Sequence, residues 1–322
     1  MTVSHHLERF HELPIHDFAP DAAPDAASTE APAARPRPAA DTVAWRLSVD
    51  WDTKQDFDHV WRSFLRSVDP AEVRALVIGP WWDHRGYVSV RATMETITAA
   101  ADRLPALEAL FLGDVTFDEC EISWMEMDDV TPLLTALPQL TSLAVRGGMD
   151  LALQPVRHER LRALRFESGG LPATVVRAVS GSELPALERL ELWLGVDEYG
   201  GDTTLDDLAP FLDGSRLPKL RHLGLQNSEF QDEIAAALAH APVVARLESL
   251  GLSMGVLSDE GATALLEGQP LTHLRALDLH HHYLTEEMQQ RLRQALPGVE
   301  LDLSEAEDAG EDDEDRYVAV AE

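Results

Sequence analysis

Residues 187–195 read LERLELWLG, and this short stretch decides the fold. Leu187, Leu190 and Leu192 set an apolar-x-x-apolar-x-apolar pattern, with Glu191 between the last two and Trp193 after them. Such alternation puts Leu190 and Leu192 on one side of a strand and Glu191 and Trp193 on the other. Outward from here the pattern returns at Leu161/Leu164/Phe166, Leu140/Leu143/Val145, Leu107/Leu110/Leu112 and Val73/Leu76/Ile78 on one side. On the other side it returns at Leu220/Leu223/Leu225, Leu247/Leu250/Leu252, Leu274/Leu277/Leu279 and Val299/Leu301/Leu303. Successive middle positions lie 21 to 34 residues apart, a spacing that chance does not hold in register for so long.

That spacing brackets the leucine-rich-repeat period. Helical segments separate the strands, with starts at Thr204, Ser258 and Thr285, each followed by acids that suit the first turn of a helix. Thr131-Pro132 likewise puts proline at a first helical position. Leu-Pro pairs at 104–105, 137–138, 184–185, 217–218 and 296–297 punctuate helix into strand, because the residue before proline is pushed out of helical geometry. Strands stack about 4.8 Å apart and helices are about twice as wide, so strands inside and helices outside must curve. The expected fold class is an α/β leucine-rich-repeat solenoid, a horseshoe of about nine repeats with a parallel concave sheet and outer helices.

The usual repeat buries an Asn three residues past the final strand apolar residue. Here those positions are Val115, Gly148, Gly169, Gly195, Ser228, Gly255 and His282, so other groups must satisfy the backbone. Residues 45–304 are assigned to the solenoid, with 45–72 as an N-terminal cap built from the strand AWRLSV (44–49) and the helix DFDHVWRSFLRSV (56–68). Residues 1–44, which include a Pro/Ala-rich linker over 19–40, and the acidic stretch 305–322 are expected to be disordered tails.

The net charge is -31. Residues 1–44 carry seven acids against three arginines, and residues 305–322 carry nine against one, so most of the charge belongs to the solenoid. Nucleic acid and anionic membrane require clustered Lys/Arg and are therefore not expected as partners. One cysteine, Cys120, excludes an internal disulfide framework and a cysteine-based zinc site. No signal segment or membrane-length apolar run is present in this sequence, and a cytoplasmic setting is the default expectation.

The stretches LVIGPWWD (76–83), LFLGDVTFDECEISWMEMDDVTPLL (110–134), VRGG (145–148), LELWLG (190–195), LGLQNSEFQDEIAAALA (223–239), GVLSDEGATALL (255–266) and LDLHHHYL (277–284) carry a resemblance. They resemble a bacterial family of leucine-rich-repeat proteins with ribonuclease-inhibitor-like units. The resemblance covers most of residues 45–304 and implies a fold, no established activity and no catalytic residues. Members look like companions of modifying enzymes, which points toward a scaffold role.

Two regions are candidates for ligand binding. On the concave face, Arg146, Arg165, Glu167, Glu191 and Trp193 fall on three neighbouring strands, followed by Gln226, Asp278 and His280 farther along. Exposed Trp and Arg are common interface anchors, although any solvated strand face must expose something. The second region is the insertion 113–130, in which Asp114, Glu119, Glu121 and Trp124, with Trp81 and Trp82 of the preceding repeat, are expected to line an acidic, aromatic pocket for a cation. The insertion lacks the alternating, Gly-centred spacing of a calcium loop. The triplet His280–His282 invites zinc, but consecutive strand residues face opposite ways, so His282 is expected inside, bonding backbone.

No GxSxG elbow or phosphate-cradling glycine loop occurs, and the acidic surroundings of Cys120 should suppress a thiolate. The sequence therefore favours a non-catalytic scaffold that holds a protein or peptide, of basic character, on its concave face without a metal or cofactor. The alternative is an accessory or metal-dependent factor that works with a modifying enzyme through the insertion or the His280–His282 triplet.

Overall fold

The computed structural model describes residues 3–20, 37–52, 55–84, 86–308 and 316–322. The expected disorder of residues 21–36 and 309–315 lies outside the described residues. Among the described residues, twelve strands form one sheet in sequence order. Strands β1 (Arg9–Phe10) and β2 (Leu13–Asp17) pair antiparallel, and every later neighbour pairs parallel. Strand β3 is Ala44–Leu47, and the repeated pattern supplies β4 (Ala75–Ile78), β5 (Ala109–Leu112), β6 (Ser142–Arg146), β7 (Ala163–Glu167) and β8 (Arg189–Gly195). It continues through β9 (His222–Ser228), β10 (Ser249–Gly251), β11 (Ala276–Asp278) and β12 (Glu300–Asp302). The chain is an α/β leucine-rich-repeat solenoid.

Register follows the leucines: Leu143, Leu164, Leu190 and Leu223 pair in line, as do Val145, Phe166, Leu192 and Leu225. All eight side chains are at most 1% exposed. Each such leucine contributes about 2 kcal/mol through burial. Three expected helix starts act as caps. The Thr204 N–H and hydroxyl bond Asp207 at 3.0 and 2.8 Å, Ser258 accepts from Glu260 N–H at 3.2 Å, and Thr285 accepts from Met288 N–H at 3.2 Å.

The missing Asn ladder is replaced piecemeal. His282 is fully buried, accepts from the Leu284 N–H through Nδ1 at 3.1 Å and donates from Nε2 to Leu303 O at 3.3 Å, so it bonds backbone from inside. Burial holds its pKa below the ordinary value.

The N-terminal boundary needs correction. Residues 9–17 form a hairpin, two strands joined by a turn at His11 and Glu12, with β2 pairing β3, so the segment 45–72 is not the end of the sheet. The physical reason is visible on the concave side of β3 to β6, where Ala44, Ala75, Val77, Ala109, Phe111 and Ala144 form an apolar patch. Phe10 covers it, with Leu7, Leu13 and Ile15 packed alongside, while Phe18 packs on Trp45 and Phe64. At the other end residues 316–322 are also placed, and Val318, Ala319 and Val320 are buried.

Candidate binding face

Beyond the apolar patch the concave face becomes polar, and its charges pair across strands. Asp17 bonds Arg46, whose Nη1 reaches Asp114 at 2.8 Å; Asp114 faces Arg146 at 3.8 Å, and Arg146 Nε meets Glu167 at 2.6 Å. Glu167 also takes Arg165 at 3.0 Å; Arg165 lies 3.7 Å from Glu191, and His222 Nε2 lies 3.2 Å from Glu191. Burial alone would raise the Glu191 pKa, but the His222 hydrogen bond and the charges of Arg165 and Arg189 hold it at about 2. A shorter polar chain continues from Gln226 to Ser253 at 2.6 Å, on to Asp278 at 3.0 Å, and then to His280 at 2.7 Å.

These networks sort the concave residues. Arg146 and Glu167 are 4% and 1% exposed and hold each other, with Arg146 stacked over Phe111 at 5.1 Å, so they brace the sheet instead of offering free anchors. They are buried where exposed side chains were expected, because opposite charges on adjacent strands neutralise one another. Arg165 and Trp193 remain half-exposed. Arg165, Glu191, Trp193, Gln226 and His280 line one pocket of about 310 Å³, together with Arg146, Met254 and Glu305. Val3, Ala319 and Val320 complete its wall, so both terminal segments reach it. Asp278 stands behind His280 and, through its bond, raises the His280 pKa.

The insertion does not assemble the expected pocket. Asp114 is fully buried, its carboxylate bound by Arg46, by His6 at 3.5 Å and by the Leu7 N–H at 3.2 Å. Trp81 and Trp82 are core residues stacked edge to face at 4.8 Å, and Trp124 is exposed, 52%. Glu119 accepts from the Thr116 N–H at 2.8 Å and faces His6 at 3.3 Å. Glu121 precedes the turn Ile122–Trp124, and its backbone carbonyl accepts from the Cys120 thiol at 3.4 Å. Folding instead places Trp82 and Glu119 beside Trp51, Tyr87 and Asp118 around a pocket of about 410 Å³. Sequence spacing missed Trp51 because it comes from the loop after β3, next to the insertion only in three dimensions.

The histidine triplet diverges. His281 Nε2 turns to Tyr317 O at 3.1 Å and His282 turns inside, while His280 joins Asp278 and Asp302 of the next strand, their donor atoms within 4.8 Å of one another. Burial is the main cause that pushes the Cys120 thiol up to about 11, with Glu121 adding to it and a Tyr87 bond opposing it. The acidic sequence around it is a secondary cause.

One column escaped the sequence reading. Asn227, Met254, His281 and Glu305 lie two residues past Leu225, Leu252, Leu279 and Leu303, and their φ values are 55°, 69°, 51° and 57°. Left-handed backbone costs a residue with a side chain about 1 kcal/mol or more. Asparagine tolerates it best, and Asn227 in LGLQNS was the available signal. These turns line the edge of the concave face at the strand ends.

A crystal structure of a Bacteroides fragilis protein superimposes with a TM-score of 0.77 at 30% identity, covering 83% of this chain and 76% of that one. The chain belongs to this bacterial leucine-rich-repeat family. An internalin from Listeria monocytogenes matches at 14% identity and a TM-score of 0.37, over 74% of this chain and 68% of its own. A TLR13–ssRNA13 complex matches at 18% identity and 0.33, over 77% and 38%. No family model and no curated protein matches this family member. No helix among its described residues is long and apolar enough to cross a membrane.

Proposed function

We propose that this leucine-rich-repeat protein is a non-catalytic scaffold that binds a protein or peptide on the concave face between β6 and β11. The observation that supports it is the 310 Å³ pocket where half-exposed Arg165 and Trp193 meet Glu191, Gln226 and His280. Concave pockets with an aromatic anchor and a few fixed polar groups are the usual form of a recognition site. The ion-pair chain beneath it keeps Arg165 and Glu191 in place before any ligand arrives, which lowers the entropy cost of binding. The net charge of -31 favours a basic partner and disfavours nucleic acid and anionic membrane.

The test is affinity capture of partners from the native host, followed by titration of the captured partner against the wild type and the Arg165→Ala/Trp193→Ala variant. Loss of at least tenfold in affinity is the expected result, and unchanged affinity moves the site off this face. Arg146 stays intact in this test, because the variant already takes Arg165 from the buried Glu167, and removing Arg146 as well would leave that carboxylate without either of its two guanidinium partners.

A further inference from the structure

Residues 316–322, read from the sequence as part of a disordered acidic tail, run along the strand-end edge of the concave face in the direction opposite to the repeats. They are held mainly through their backbone. The Tyr317 carbonyl accepts from His281 Nε2 at 3.1 Å and from the Tyr283 hydroxyl at 3.0 Å, and the Tyr317 N–H donates to the same hydroxyl at 2.9 Å. The Ala319 N–H donates to Met254 O at 2.8 Å. Asn227 grips Val320 at both ends: its Nδ2 donates to Val320 O at 2.5 Å, and its Oδ1 accepts from the Val320 N–H at 2.9 Å. Ser123 Oγ donates to Ala321 O.

Three of these holding groups, Asn227, Met254 and His281, are successive members of the left-handed column. A fourth adaptation is steric. A Cβ on Gly169 would stand 2.0 Å from Ala321 O, so glycine at this position leaves room for the segment. Side-chain positions are also selective. Arg316 lies over the Tyr283 ring at 5.8 Å and lines a cavity with Glu229, Asp232, Glu233 and Glu260. The Tyr317 ring packs on His281 and Tyr283 at 5.7 and 6.2 Å. Ala319 and Val320 join Ile122 and Met254 in a small apolar cluster against Trp193 and Val3.

We propose that this edge is a binding site for an extended peptide with a basic residue, an aromatic residue and then small apolar residues, and that residues 316–321 fill it in cis. A backbone amide and carbonyl read together by one buried side chain recognise an extended strand whatever its sequence, as in peptide recognition by strand addition. The charge of the site selects the leading basic residue, and the shallow apolar cluster selects small side chains. A partner segment of this chemistry binds by replacing the tethered one, which competes at high effective concentration. This inference rests on the concave-face reading and specifies its ligand.

The test uses the full chain and a fluorescent synthetic peptide RYVAVAE, followed by anisotropy. In a Val318→Asp/Val320→Asp chain the tethered segment carries buried charge and leaves the edge, so the peptide should bind at least tenfold tighter than to the wild type. Adding Asn227→Ala or Gly169→Ala to that chain should weaken binding at least tenfold. Equal binding to the wild type and the tail variant, or binding indifferent to Asn227 and Gly169, overturns the proposal. A measurement on the unmodified protein guards against a misfolded variant: millimolar peptide should accelerate hydrogen exchange at the Ala319 and Val320 amides, and unchanged rates also overturn it. Peptide binding that fails while Arg165→Ala/Trp193→Ala still impairs the captured partner rejects this site and leaves the concave-face reading standing. The reverse pattern rejects that reading alone.

Discussion

At the scale of single residues, the concave face is organised by carboxylates that meet more than one cation. Asp114 takes Arg46, His6 and the Leu7 N–H, so one buried carboxylate ties the N-terminal segment to the sheet. Bonds to Asp114 and Glu119 raise the His6 pKa from 6.5 to about 9. A raised histidine stabilises the fold fully below its unfolded value and loses that contribution as pH rises through its folded value. The melting temperature should therefore fall between pH 6.5 and about 9, and His6→Ala should flatten that part of a melting-temperature profile. A profile identical in both proteins contradicts the His6 assignment. None of this was legible beforehand, because His6 and Asp114 lie more than a hundred residues apart and no periodicity links them.

At the scale of elements, the leucine pattern located the strands from β4 to β12, and the Ser/Thr starts located helix ends, since both signals are local. The hairpin β1–β2 was missed. Its two strands are short, and the apolar residues of residues 1–18 are sparse, so the segment reads as tail until its partner surface is known. The clue was on the other side of the contact: Val77, Phe111 and Ala144 occupy outward positions where a solvated face would carry polar groups. Phe10 fills that surface, and Phe10→Ala should cost about 3 kcal/mol in denaturant unfolding, as other large-to-small changes at buried aromatics do. A change below about 0.5 kcal/mol, the level of an ordinary surface substitution, argues that the hairpin does not contribute to the core.

At the scale of the whole molecule, both terminal segments converge on one pocket, Val3 from one end and Ala319 and Val320 from the other. The surrounding field is strongly acidic, with a net charge of -31. Long-range attraction of a basic partner is screened within about 8 Å at physiological ionic strength and within about 3 Å at 1 M. The association rate of a basic partner should therefore fall at least tenfold between 0.02 and 0.5 M salt in stopped-flow measurements, while an acidic control associates faster as salt rises. A rate independent of salt separates the acidity from recognition.

What the sequence determined by itself was the solenoid: strand positions, inward leucines, outward columns and helix starts all follow from residues within one repeat and its copies. The burial of His282 followed from the same alternation. What only the tertiary structure decided was which outward groups stay available. Arg146 and Glu167 are buried in their ion pair, Arg165 and Trp193 stay partly exposed at a pocket, and the insertion surrenders Asp114 to the sheet while Trp82 and Glu119 meet Trp51. The reason is physical. Repeat geometry is set by short-range periodicity, whereas pairing of charges and covering of apolar patches depend on distances between segments far apart in the chain, here including both terminal segments.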